Sequence, residues 1–236
     1  MRFSRIKGVL FAATLLGTWA APGFAYAEGA PAQHRAWLHL KAVLLSAEYG
    51  GRVGIVERWA RPPAVTIVGG SAEDRALIRD TIIEWNAVLD GTGFGIREAD
   101  HLSADIGVIF TPRENFREIA AMYGFRYVAG GVGFAGIAVD ARHRAQMAIV
   151  MVAEDLAAEE RRATLVQELY HTLGPINDSP YFPSSVLFED GLEGSTATTL
   201  AMVDRKLLRF LYQHLKPGDR EAEMRRAFER HWHLLD

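Results

Sequence analysis

The stretch Gln167-Glu168-Leu169-Tyr170-His171-Thr172-Leu173-Gly174-Pro175-Ile176-Asn177-Asp178 carries the residue types best suited to chemistry in this sequence. Glu168 and His171 are three apart, so on a helix they share a face. A carboxylate able to take a proton, close to an imidazole able to hold a metal, is the nucleus of metal-assisted hydrolysis. That chemistry normally uses two imidazoles at i and i+4, one turn apart, with the Glu beside the first as general base. A Gly three residues after the second imidazole lets the chain turn back with a third ligand. Against H-E-x-x-H-x-x-G-x-x-H, Glu168, His171 and Gly174 are in register. Gln167 stands at the first imidazole and Asn177 at the third ligand.

The departures matter because a catalytic zinc takes three protein ligands plus water. Carboxamides such as Gln167 and Asn177 offer a neutral carbonyl oxygen and hold zinc poorly. His171 is then the one strong donor, and zinc is expected at low occupancy. Plainer roles stand beside the sharp ones. His171 can be an ordinary helix histidine bonded to a neighbour. Glu168 can pair with an arginine, and Asn177-Asp178 suits a turn. Asp178 replaces the third ligand only through a one-residue shift. Folding would have to bring His143 or His214 alongside to add an imidazole.

The composition bounds the setting. With 49% hydrophobic and 23% charged residues the chain is globular rather than disordered. It has no Cys, which excludes disulfides, thiolate metal sites and a Cys nucleophile. A net charge of −3 argues against a nucleic-acid partner. Arg2, Arg5 and Lys7, the apolar run Gly8–Trp19 and Ala25-Tyr26-Ala27 read as a signal peptide over 1–27. Removing those three cations takes the net charge from −3 to −6. No later run is long enough for a membrane span. The mature chain, 28–236, is expected to be exported, periplasmic or secreted, as one domain.

The elements that must position the site follow from periodicity and punctuation. A helical lead-in is expected over 31–49, ended by Gly50-Gly51. Val65–Val68 reads as a strand. Ser71 with Asp74 forms a capping box for a helix whose stripe is Ile78, Ile82, Trp85 and Leu89. Further strands are expected at Phe94–Glu98, Asp105–Phe110, Gly133–Val139 and Ala148–Val152. A helix follows over Ala157–Leu173, with Asp155 as its cap. Helices over Met202–Tyr212 and Glu221–Leu234 close the chain. Gly131-Val132-Gly133-Phe134-Ala135-Gly136 spells a dinucleotide fingerprint, but it runs into a strand instead of opening a helix, so it is not one.

Ser185-Val186-Leu187-Phe188 follows the Glu168/His171 segment at the distance where metzincin zinc proteases place a Met-containing turn, with Leu187 in the Met position. The run from Met202 to Tyr212 resembles the closing helix of that class. The chain from about Val65 to Tyr212 therefore resembles a metzincin-like zincin. Glu168-Leu169, Leu173-Gly174, Asn177-Asp178-Ser179-Pro180, Leu211-Tyr212 and Lys216-Pro217-Gly218 together resemble a bacterial group of exported proteins, the domain-of-unknown-function 2927 family. The resemblance implies an α+β fold over a core of 64–212, with a C-terminal helix at 221–234. Its parts are a twisted mixed sheet of about five strands, an active-site-type helix and a helical C-terminal part. It implies Glu168 as the catalytic position, and His171, Gln167 and Asn177 as the metal positions. Gly174, Asp178, Leu187 and Tyr212 would form the turn and cleft. The expected function is a non-catalytic or weakly active metalloprotease relative that binds a peptide or an envelope protein. The alternative is an active zinc peptidase using Glu168 as base and His171 with non-standard ligands.

Overall fold

The computed structural model describes residues 8–10 by their backbone, and residues 32–46, 54–99, 104–127, 129–192 and 194–235. Most of the expected leader over 1–27, and the Gly50-Gly51 stop of the lead-in helix, lie outside these residues. The chain forms, in order, β1 (Gly8–Leu10), α1 (Ala32–Leu45), β2 (Ala64–Val68), α2 (Ala72–Leu89), β3 (Arg97–Glu98) and β4 (Ile106–Thr111). Then come α3 (Phe116–Met122), β5 (Gly133–Val139), β6 (Ala145–Ala153), α4 (Ala158–His171), α5 (Met202–His214) and α6 (Glu221–His231).

The strands share one sheet in the order β1-β5-β6-β4-β2-β3. Strands β2, β3, β4 and β6 are mutually parallel, and β5 turns back antiparallel to β6. Strand β6 leads directly into α4, which packs under β5 and β6. Strands β2–β6 thus form the mixed sheet of about five strands that the metzincin resemblance implies, with the active-site-type helix packed against it. Strand β1 adds a sixth, antiparallel on the outer edge of β5, with Val9 opposite Ile137.

Local signals account for most boundaries. Asp74 N–H donates to Ser71 Oγ at 3.1 Å and Ser71 N–H to Asp74 Oδ2 at 2.8 Å, closing the capping box. Ile78, Ile82, Trp85 and Leu89 are all buried, and the Trp85 ring meets Tyr170 of α4 edge-on at 5.4 Å. Asp155 does not cap α4. The cap position is Ala157, without a side-chain bond, and Asp155 pairs with Arg113 at 3.0 Å. The strand expected over Phe94–Glu98 shortens to two residues: the Asn86 side chain takes both the Ile96 N–H, at 2.7 Å, and the Ile96 carbonyl, at 2.8 Å, and the Phe94 ring stacks on Tyr212 at 3.7 Å. α3, seven residues long, packs Phe116, Ile119 and Ala120 on the core and has no counterpart among the expected elements.

Helix α4 ends where the chain must clear α1 and the Glu57 carbonyl. Gly174 has φ of 122°, and a Cβ there would lie 2.7 Å from Glu57 O. Gly174→Ala therefore combines a disfavoured dihedral with a backbone clash. Its expected cost is on the order of 3 kcal/mol, read by urea unfolding. Beyond the glycine, Ile176 N–H donates to Val43 O at 2.7 Å, which fastens the post-helix segment to α1.

Candidate functional site

The last turn of α4 and the segment after Gly174 bring three side chains together. Gln167 Nε2 donates to Asp178 Oδ1 at 2.9 Å. His171 Nε2 lies 3.4 Å from that same oxygen, and His171 Nδ1 donates to Pro175 O at 2.7 Å. His171 is fully buried and the Asp178 side chain is 7% exposed. Burial by itself would push the imidazole toward its neutral form. The Asp178 carboxylate overrides this, helped by the Glu168 charge and the Pro175 carbonyl, and lifts the His171 pKa to about 9. His171 is thus an imidazolium at neutral pH, with Asp178 as its counter-ion.

That state has a pH signature. A group whose folded pKa stands above its unfolded value stabilises the fold in its protonated form. The contribution of His171 is complete below about 6.5 and is lost as pH rises through about 9. Melting temperature is expected to fall across this window, by an amount on the order of 3 kcal/mol in stability. His171→Asn should be less stable at pH 6 and show a flatter profile between pH 6.5 and 9, as read by thermal unfolding.

The other expected site residues fall in different places. Asn177 turns away from His171, and its Nδ2 donates to Ala42 O of α1 at 3.2 Å. Glu168 is 5% exposed and wedged against the start of β5: a Cβ on Gly133 would lie 2.6 Å from its Oε1. Leu187 is buried, and its carbonyl accepts from Ser179 N–H at 2.8 Å. Tyr212 is a core anchor rather than a cleft wall: its hydroxyl donates to Leu173 O at 2.8 Å, and Arg58 lies over its ring. His143 is engaged with Glu57 at 3.3 Å, and His214 stacks on His231 at 4.0 Å.

Two features around the site had only a faint signal in the sequence. One is Asp204, which starts α5 and holds the 185–188 turn. Its carboxylate accepts from Ser185 Oγ at 2.5 Å, Val186 N–H at 3.1 Å and Ala201 N–H at 2.9 Å. The other is α1, whose His39 Nδ1 shares a hydrogen bond with Ser179 Oγ at 2.9 Å. Burial pushes the His39 pKa down to about 3, so this imidazole is neutral.

These residues do not fit a catalytic zinc. Among the described residues, no three His, Asp or Glu side chains are placed to hold a metal. Gln167 spends its amide on Asp178, leaving one imidazole and one carboxylate where three donors and an open position are needed. No hydrolytic step follows from this geometry.

Gln167 also faces outward. It lines a cavity of about 1020 Å³ shared by Ala163 and Thr164 of α4, Val132 just before β5, and Glu189 and Thr196 on the far side. The cavity therefore begins at the outer end of β5 and has the Gln167–Asp178 contact behind it.

The chain matches the family described as protein of unknown function (DUF2927) over residues 39–230. None of the curated proteins matches it. Among solved structures, that of myroilysin is 12% identical with a TM-score of 0.40, covering 69% of this chain and 100% of that one.

Proposed function

We propose that this chain, which belongs to the DUF2927 family, is an exported, non-catalytic protein of zincin-like build. It takes an extended peptide, or an exposed strand of an envelope protein, along β5 and into the adjoining cavity. The observation that supports this reading is the outer edge of β5. It takes a strand antiparallel, with Gly8, Val9 and Leu10 opposite Ala138, Ile137 and Gly136. An edge that accepts one strand offers main-chain hydrogen bonds to any strand, and an adjacent cavity then selects side chains. The segment that fills the edge belongs to the expected leader, so leader removal would free it.

The experiment is selection of binding peptides from a displayed library against the chain beginning at Glu28. Extended peptides should be recovered, and Thr196→Trp, which fills the cavity from an exposed position, should weaken them at least about tenfold. Failure to recover peptides, or binding unchanged by Thr196→Trp, contradicts the reading. Recovered peptides should remain intact. Cleavage that Glu168→Gln abolishes would favour a peptidase instead.

A further inference from the structure

We propose that the Gln167–Asp178–His171 cluster is an internal lock standing in place of a metal, and that it is one residue short of a divalent-metal site. The clause about the natural chain rests on the non-catalytic reading above; the clause about the missing residue does not. Two donors bound to a tetrahedral zinc at about 2.05 and 2.1 Å lie about 3.4 Å from each other. His171 Nε2 and Asp178 Oδ1 are 3.4 Å apart. The far ring nitrogen of His171 already donates to Pro175 O, the outer-shell bond that fixes a ligating imidazole. Half of a metal polyhedron is therefore in place, built with Asp178 and not with Asn177.

What removes the metal is position 167. Its amide nitrogen donates to the carboxylate oxygen that a cation would need, and it supplies no third strong donor. Gln167 Nε2 and His171 Nε2 both face Asp178 Oδ1, so the oxygen a cation would need is already engaged from within the chain. The lock keeps the segment after Gly174 against α4 without any cofactor. A histidine at 167, one turn before His171 on the same face, adds the missing imidazole.

The test is zinc stoichiometry on untagged protein, stripped with chelator, loaded with zinc chloride and desalted before elemental analysis. The natural chain should retain well under one zinc per chain, and its melting temperature should not move with zinc. Gln167→His should retain close to one zinc and melt higher in its presence. Adding Asp178→Asn or His171→Asn to that variant should return it to the natural level. Gln167→Glu, a second route to a third donor, should also gain zinc. The proposal is overturned if the natural chain retains one zinc per chain. It is equally overturned if both position-167 variants keep the native circular dichroism spectrum and gain none. Peptide selection reads the β5 edge and zinc content reads position 167, so either can fail without the other.

Discussion

Asp178→Ala should cost the fold about 4 kcal/mol at pH 6, the largest loss expected of any site variant, because it removes one partner of a buried ion pair. His171 has no exposure through which to find water, and its Nε2 would face an empty volume where the carboxylate stood. Gln167 loses its acceptor in the same change. Without Asp178, only the Glu168 charge and the Pro175 carbonyl still oppose burial, and the ring shifts toward neutrality. The penalty should therefore shrink as pH rises toward 9, where the natural chain has also given up the imidazolium. Urea unfolding of both proteins at pH 6 and pH 9 reads this directly. A loss under about 1 kcal/mol, or one equal at the two pH values, would mean that the pair is not the counter-charge described here.

Asp204→Ala should cost nearly as much, about 3–4 kcal/mol, since two buried N–H donors and a hydroxyl lose their acceptor together. Those donors sit at Val186, Ala201 and Ser185, so the loss releases both the turn beneath the site and the start of α5. Asp204→Asn should be close to neutral. Its carbonyl oxygen can serve the two N–H groups while its amide donates to Ser185 Oγ. Burial pushes the Asp204 pKa up to about 6, against the pull of these hydrogen bonds. By linkage, the protonated form stabilises the fold below about 4, and that contribution is lost as pH rises through about 6. Asp204 and His171 thus both lower stability toward alkaline pH. Thermal unfolding of the Ala and Asn variants at neutral pH separates lost hydrogen bonds from lost charge; similar damage from both would contradict the hydrogen-bond account.

The site was half legible in the sequence, and the reason is the register of a loop. Glu168, His171 and Gly174 were readable because helix periodicity fixes their faces, and the structure places all three on α4 or at its end. The third position was read as Asn177 because the expected pattern counts two residues from the glycine to the ligand. Here Pro175 and Ile176 carry the chain across α1, Asn177 is taken by Ala42 O, and the next residue, Asp178, swings back to His171. That shift depends on a contact 135 residues away in sequence, which no local pattern carries. The same division runs through the fold. The capping box at Ser71 and the strand Gly133–Val139 depend on neighbours in sequence and were plain to read. The shortened β3 and the uncapped start of α4 go with side-chain partners on other elements, Asn86 for the Ile96 backbone and Arg113 for Asp155.

The most direct test is a crystal structure of the natural chain grown with excess zinc, with diffraction collected at the zinc absorption edge. No anomalous peak should lie between His171 and Asp178, and the Gln167 amide should still rest on the Asp178 carboxylate. A peak bonded to His171 Nε2 would show that this chain holds a metal after all.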